Sequence, residues 1–404
     1  MIEALFFAVV SAALVYLWCT GYFVFLHLRY PEPNRADEVY VVTTGDGWQL
    51  RLYRRRPTGG RGEPVFFMHS LSSNHLNFEI PAGYSLVDYL SNKGYDCWTF
   101  DSRACRTAIP PPGTSRLSAT LDDLLTYDIP AALGCIREKT GHPRAHWIGH
   151  SMGGMLFYAY DLKFDGAGLA SAVTLGSPPG FKGVKIVPHD TLVFLNRFLY
   201  GFLSGLFRGL APFYDVWRPK SRLVPINWDN VHPKIRPGDI FHAAEMPKPR
   251  IGAQMNAWAS RGQWVMFGGG LDVQENLDKL KTPLLAIFGG IDPFIPEARA
   301  IHFFKSIRGE DKRLVVLSRA NGHTANYSHI ELAFAYNGEK EVFEPAWKWL
   351  KQHPIQKTAV AGKPSRIAIA GAPRSSNSRR SAAAKPAVKR ASSAKKKPAD
   401  GKGR

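Results

Sequence analysis

The sequence predicts an α/β protein with a mainly parallel sheet, and three observations support this prediction. Apolar runs of strand length alternate with helical patterns between residues 37 and 355, as in βαβ units. The chain has 404 residues, 45% hydrophobic and 12% aromatic, which suffices for a sizeable core and excludes a wholly disordered or collagen-like chain. Most of the formal net charge of +19 lies in residues 357–404, which hold 14 basic residues and one acid, so the remainder is only mildly basic.

The first element is an apolar segment, residues 4–26, which contains no charged residue. As a helix it would span about 34 Å, enough for the roughly 30 Å hydrocarbon core of a bilayer. We interpret it as a transmembrane anchor, because a signal peptide normally has a basic start and a small-residue cleavage site, which this segment lacks. Arg29 and Arg35 follow the segment and no basic residue precedes it, which favours a cytoplasmic position for the following domain.

The region 37–355 contains the predicted sheet and its helices. Helical spacing of Leu121, Leu124, Leu125 and Ile129 predicts a helix at 118–139, and a second helical pattern lies at 152–164. Residues 180–275 break the alternation and are interpreted as an inserted cap. Within the cap, the apolar stretch 191–213 suits a lid over an acyl pocket or on a bilayer, or else a helix buried against the domain. The predicted strands are residues 39–43, 49–54, 64–68, 96–100, 145–149, 172–175, 283–288 and 313–317.

The cysteines and glycine runs indicate no bound metal and no cofactor. Cys19, Cys97, Cys105 and Cys135 show neither CxxC spacing nor a histidine at metal-ligand spacing, so we expect free, mostly buried thiols rather than disulfides or a zinc site. The glycine run 268–270 lacks the Lys-Ser/Thr pair that follows in a phosphate-binding loop.

The strongest motif for chemistry surrounds Ser151. The sequence GHSMGG (149–154) contains GxSxG, directly after the predicted strand 145–149 and before the predicted helix 152–164. Gly149 and Gly153 permit a strained strand-to-helix turn that leaves the serine hydroxyl exposed at the C-terminal edge of the sheet. We therefore predict that Ser151 is a nucleophile.

A serine nucleophile needs a base that is oriented by an acid, and after such a turn the acid and then the base follow in chain order. Asp292 follows the strand 283–288 in a glycine turn and is the predicted acid. His323 and His329 both follow the last strand, so either could be the base. His69 and Asp101 follow earlier strands, where loop packing and structural hydrogen bonding explain them better than catalysis.

Several stretches resemble the α/β-hydrolase superfamily: FMHSLSSN (67–74), GYDCWTFDSR (94–103), YDIPA (127–131), GHSMGG and YSHIEL (327–332). Within it, the chain is most similar to the acid-lipase branch of gastric and lysosomal lipases and their bacterial relatives. The resemblance implies an α/β-hydrolase fold with an inserted cap or lid, and it implies His329 as the base, because the closing pattern of the family falls on residues 327–332. It also implies an oxyanion hole formed by the N–H groups of Leu71 and Met152. Ser70 stands where the family has glycine, which puts the geometry of that loop in doubt.

Residues 357–404 are rich in Ala, Ser, Pro, Lys and Arg and should form a disordered tail. Such a tail could bind anionic lipid or nucleic acid, or could simply be solvated. Taken together, the sequence predicts a membrane-anchored serine hydrolase that cleaves carboxylic esters, with lipids as the favoured substrates. The alternatives are a thioesterase or acyltransferase of the same fold, or a non-catalytic protein that binds membrane or nucleic acid. The sequence leaves the oligomeric state open.

Overall fold

The computed structural model describes residues 2–356 except 34, 61, 183–189, 215–217 and 219–224, with only the backbone described at residues 2–5, 8, 12 and 190–198. The predicted tail, residues 357–404, lies outside the described residues. In chain order the strands are β1 (Glu38–Thr43), β2 (Gln49–Arg55), β3 (Pro64–Met68), β4 (Asp96–Asp101), β5 (Ala145–His150), β6 (Leu169–Leu175), β7 (Val265–Met266), β8 (Leu271–Asp272), β9 (Leu284–Gly289) and β10 (Lys312–Leu317).

Within the described residues, ten α-helices accompany the strands, and short 3-10 segments lie between them. The helices are α1 (Ile2–Arg29), α2 (Leu86–Asn92), α3 (Leu121–Asp123), α4 (Ile129–Thr140), α5 (Met152–Phe164), α6 (Asp190–Leu210), α7 (Pro237–Ala243), α8 (Pro249–Arg261), α9 (Glu297–Ser306) and α10 (Glu344–Gln352).

Eight strands form one sheet in the order β1-β2-β4-β3-β5-β6-β9-β10. The pairs β1–β2 and β2–β4 are antiparallel, and all other neighbours in this sheet are parallel. Each of the eight predicted strands is present, so the predicted α/β fold with a mainly parallel sheet is confirmed. β5 lies between β3 and β6 and is buried along its whole length, so the turn after it opens near the middle of the C-terminal edge of the sheet.

Helices cover both faces of the sheet because its side chains alternate between two apolar clusters. In β3, Phe66 and Met68 join a cluster that contains side chains of α4, α5 and α9, whereas Val65 and Phe67 join a second cluster with α2 and α10. Burial on both faces explains why the parallel strands are continuously apolar in sequence.

The predicted helix 118–139 begins later than expected. Thr120 caps α3 by accepting a hydrogen bond from the Asp123 N–H, and a π-helical turn, Leu124–Asp128, leads into α4. Asp128 in that turn is buried and accepts hydrogen bonds from the backbone N–H and Nε of Arg103, at 2.8 and 2.7 Å. The wide turn therefore ties α4 to the loop after β4. The predicted helix 152–164 coincides with α5.

The insertion between β6 and β9 is only partly a separate layer. Its helices α6, α7 and α8 form what we call the cap. Phe181, Trp258, Trp264 and Met266 from the same insertion are buried in the cluster that includes α5. Both ends of the insertion, together with part of α8, therefore pack against the core.

Helix α1 contains a stretch, Val9–Arg29, whose length and composition suit a membrane span or a signal sequence, and almost none of it is buried. Cys19 on this helix is exposed, contrary to the expectation of mostly buried thiols, whereas Cys97 and Cys105 are buried. Arg35, one of the two basic residues behind the cytoplasmic prediction, forms an ion pair with Asp239 at 2.9 Å. Arg29 is the other basic residue and is exposed.

Candidate active site

Ser151 occupies the turn between β5 and α5 in a strained backbone conformation. Its φ and ψ are 52° and −113°, a backbone conformation that residues other than glycine rarely adopt. The turn brings α5 back against β3. A Cβ on Gly153 would lie 1.9 Å from the Met68 carbonyl oxygen, and a Cβ on Gly149 would lie 2.5 Å from the Gly153 backbone. Both motif glycines are therefore required by close backbone approach.

The strain at Ser151 leads to a prediction about stability. The variants Ser151→Gly and Ser151→Ala both lack the hydroxyl. A positive φ at a residue with a Cβ lowers the stability of the fold by about 1–3 kcal/mol, and only glycine removes this strain. The greater freedom of glycine in the unfolded chain offsets about 0.4–1 kcal/mol of this gain. Thermal unfolding in one detergent should therefore show the glycine variant to be more stable by about 1 kcal/mol. A midpoint for Ser151→Ala equal to or above that of Ser151→Gly would contradict the strain.

A continuous line of hydrogen bonds joins Ser151, His329 and Asp292. The Ser151 Oγ lies 2.8 Å from His329 Nε2, and His329 Nδ1 lies 2.7 Å from Asp292 Oδ2. Because the carboxylate accepts, Nδ1 carries the proton that faces Asp292, and Nε2 is left to accept from the serine hydroxyl. The other Asp292 oxygen, Oδ1, accepts from the Phe294 N–H at 2.8 Å. The carboxylate is thereby fixed from both sides.

The histidine and the carboxylate of this hydrogen-bonded line are shielded from water. His329 and Asp292 are 5% and 3% exposed, and the Phe294 ring meets the imidazole edge to face at 5.0 Å. Pro225, in the insertion, accepts a backbone hydrogen bond from the His329 N–H at 3.1 Å. Loops from three parts of the chain therefore hold the imidazole in place.

The other candidates from the sequence lie in different surroundings. His323 Nδ1 lies 3.5 Å from Glu341 Oε1. Asp101 is fully buried and accepts hydrogen bonds from the backbone and the ring of His75, at 2.8 and 3.0 Å. These contacts hold the pKa of Asp101 well below its usual range despite burial. The structure thus brings Asp292 and His329 to Ser151, and places His323 and Asp101 in other ion pairs.

The two residues predicted to form an oxyanion hole lie at the start of α5 and on the loop after β3. Met152 is the first residue of α5, so its N–H has no acceptor within the helix. Leu71 lies on the loop after β3, and His69 fixes that loop by donating from Nδ1 to the Ser70 carbonyl at 2.7 Å and accepting at Nε2 from the Ser102 hydroxyl at 3.0 Å. Burial lowers the pKa of His69, which keeps the ring neutral in this structural position.

Ser70, the departure from the family pattern, does not strain this loop. Its φ is not positive, so the backbone there does not require glycine. Its N–H donates to Asn77 Oδ1 at 3.0 Å.

Three residues of the site escaped the sequence analysis or received no role there. His150 Nδ1 lies 3.1 Å from Asn77 Oδ1 and its Nε2 lies 3.1 Å from the His329 carbonyl oxygen, so a neutral ring can donate to one of these two acceptors. Burial, with repulsion from His329, lowers its pKa to about 3. Glu331 is fully buried and accepts from the Ser328 N–H, and burial raises its pKa to about 7. The sequence signal for Glu331 was its place in the YSHIEL stretch, whereas Asn77 carried no signal.

Comparisons with known proteins identify the family of the domain. The family profile described as alpha/beta hydrolase fold matches residues 63–329. Lipase member K of Homo sapiens is 35% identical over 129 residues, 29% of this chain and 32% of that protein. Gastric triacylglycerol lipase of Homo sapiens is 32% identical over 130 residues, with the same coverage. The matches to these two relatives span about a third of their length.

Solved structures of low sequence identity share the fold. A thermophilic esterase from Thermogutta terrifontis has a TM-score of 0.52 at 17% identity, covering 78% of this chain and 100% of that chain. Esterase EaEST from Exiguobacterium antarcticum has a TM-score of 0.51 at 15% identity, with the same coverage. The fold, the turn at Ser151 and the profile match over most of the domain lead to one conclusion: this chain belongs to the α/β-hydrolase fold family.

Proposed function

We propose that this protein is a membrane-anchored serine hydrolase that cleaves carboxylic esters of lipids through an acyl-enzyme on Ser151. One observation carries the proposal, namely the line of hydrogen bonds from Ser151 through His329 to Asp292, with distances of 2.8 and 2.7 Å. A serine that is bonded to a buried histidine, itself oriented by a carboxylate, is the arrangement that acyl transfer requires.

In the proposed mechanism, His329 Nε2 removes the hydroxyl proton while the Ser151 Oγ attacks the ester carbonyl. The negative charge that develops on the carbonyl oxygen is stabilised by the N–H groups of Leu71 and Met152. His329 then passes its proton to the leaving alcohol oxygen as the C–O bond breaks. A water molecule, deprotonated by the same nitrogen, attacks the acyl-enzyme, releases the acid and restores Ser151. Asp292 stays ionised throughout and holds the imidazole in the required tautomer.

A lipid substrate is favoured by two features. Helix α1 would keep the domain at a membrane, and the curated relatives are named as lipases. Hydrolysis of p-nitrophenyl esters from acetate to palmitate, measured in detergent, tests this preference. Because each buried methylene contributes about 0.8 kcal/mol, kcat/KM for octanoate should exceed that for acetate by about tenfold or more.

The same assay separates the alternatives that share the fold. Faster cleavage of an acyl thioester than of the matched oxygen ester would favour a thioesterase, and acyl transfer to an added alcohol in preference to water would favour an acyltransferase. A profile that falls steadily from acetate to palmitate would contradict the lipid substrate. Complete absence of turnover in the folded protein would favour a non-catalytic role in membrane or nucleic-acid binding.

A further inference from the structure

Helix α6 presents an uncovered apolar face in its described half. Phe202, Leu206 and Leu210 lie four residues apart, so they share one side of the helix, and Phe202 is 67% exposed. Arg208, the charged residue of this half, turns away from that side and places its guanidinium 4.7 Å from the centre of the Phe241 ring. The side formed by Phe202, Leu206 and Leu210, which we call the α6 face, therefore has no charge to hydrate it.

The end of α1 packs directly beside the α6 face. Tyr22 donates from its hydroxyl to the Gly209 carbonyl at 2.6 Å. A Cβ on Gly209 would lie 3.3 Å from the Tyr22 ring, and a Cβ on Gly205 would lie 3.8 Å from the Phe23 ring. Small residues four apart allow two helices to approach closely. Gly205 and Gly209 each precede a residue of the α6 face, so the helix contact adjoins that face at about 100° around the helix.

Helix α7 holds the same end of α1 from a second direction. His27 meets the Phe241 ring edge to face at 5.1 Å, and His242 Nε2 lies 2.6 Å from the Tyr30 carbonyl, to which it donates. Beyond the helix, Arg35 pairs with Asp239 of α7 at 2.9 Å. The exit of α1 is thus bound to the cap by aromatic packing, a hydrogen bond from the His242 ring to a backbone carbonyl, and an ion pair. This fixes the position of the α6 face relative to α1.

We propose that the α6 face lies in the same bilayer that α1 enters, so that the cap docks on the lipid surface as a continuation of the anchor. The inference rests on the proposed membrane anchor. The lipid is the occupant because the α6 face adjoins α1, a helix on which apolar side chains such as Phe25 and Leu28 are exposed. An uncharged helix side bordering a membrane helix matches the way in which interfacial helices bury their apolar face at the acyl boundary.

Lipid quenching in nanodiscs tests this proposal on the full chain. A bimane fluorophore is attached at position 202 or 206 through Phe202→Cys or Leu206→Cys, in a background in which Cys19→Ser and Cys135→Ser remove the accessible native thiols. Native Cys19 reports on α1 itself when only Cys135 is replaced. The control is Glu138→Cys, an exposed site at the end of α4, near the sheet edge opposite Ser151. Doxyl-labelled phospholipids in the disc quench only fluorophores that contact lipid.

We expect quenching at positions 202 and 206 to reach at least about half of that at Cys19, with little quenching at position 138. Strong quenching at Cys19 with only control-level quenching at 202 and 206 would overturn the proposal and leave the anchor intact. Absence of quenching at Cys19 would overturn the anchor and the docking proposal together. Ester hydrolysis by the same samples is measured separately, so a failure of the proposed activity is distinguished from either result. Energy transfer between α6 fluorophores of two copies, without lipid quenching, would also overturn the proposal, in favour of a dimer.

A matched pair of glycine variants tests the role of the α1 contact. Gly209→Val places a side chain against Tyr22, whereas Gly201→Val on the same helix meets no atom within 4 Å in the described structure. Gly209→Val should reduce quenching at position 202 at least about twofold, and Gly201→Val should leave it unchanged. Equal quenching in both variants would overturn the claim that the contact with α1 positions the α6 face. Fluorophosphonate reaction with Ser151 in both variants serves as the check on folding.

Discussion

Replacing Ser151 with alanine should lower kcat for ester hydrolysis by about 10⁴-fold or more, because the variant has no atom that can form the acyl-enzyme. The hydrogen-bonding groups around the serine would remain and would supply only the small residual rate that an oxyanion site gives without a nucleophile. Initial rates on p-nitrophenyl octanoate, compared at equal concentrations of wild type and variant, measure the effect.

The control for this variant is its fold. Alanine retains the Cβ and the strained φ of 52°, so the thermal midpoint should stay close to that of the wild type. A stable Ser151→Ala variant that hydrolyses the ester at more than about a tenth of the wild-type rate would show that Ser151 is not the nucleophile.

Replacing His329 with glutamine should cost about 10⁴-fold in kcat, whereas His323→Gln should change kcat less than about twofold. The two substitutions are chemically identical. They differ in position, since His329 Nε2 lies 2.8 Å from the Ser151 Oγ whereas His323 pairs with Glu341 at 3.5 Å. Glutamine at 329 can still donate a hydrogen bond but cannot accept a proton at neutral pH, so the loss isolates general-base catalysis.

The kcat values of both variants are measured on p-nitrophenyl octanoate. The opposite pattern, with large loss of kcat in His323→Gln and near-normal kcat in His329→Gln, would contradict the assignment of the base.

The layout of the sheet was predictable because local sequence determined it. Parallel strands that are buried on both sides must be apolar at almost every position, so runs such as residues 64–68 and 283–288 stand out against their polar surroundings. The helix at 152–164 was equally visible, since the turn at Ser151 fixes where it begins. The start of α3 was missed because the cap at Thr120 and the π-helical turn after it interrupt the helical spacing.

The site was only partly predictable. Ser151 and Asp292 each follow a strand at a turn with a recognisable pattern, but the residues alone left His323 and His329 equivalent. Which of the two histidines reaches Ser151 depends on how the loop after β10 folds. In that loop the backbone N–H of His329 bonds to the Pro225 carbonyl, and the backbone N–H of His323 bonds to the Ser318 carbonyl. Contacts between distant segments, such as His150 with Asn77 or His242 with Tyr30, leave no periodic pattern in sequence. The packing of α1 on the cap also leaves no periodic pattern in sequence, and the sequence alone therefore predicted α1 only as an independent anchor.

The proposed serine hydrolase depends most directly on the reactivity of the Ser151 hydroxyl group, which a fluorophosphonate probe measures by forming a covalent bond with an activated serine. Wild-type protein in detergent should take up one equivalent of probe, mass spectrometry should place it on Ser151, and Ser151→Ala and heat-unfolded wild type should take up none. If folded wild type remains unlabelled, or if the probe is found on another residue while Ser151 is unmodified, the proposed serine hydrolase is contradicted.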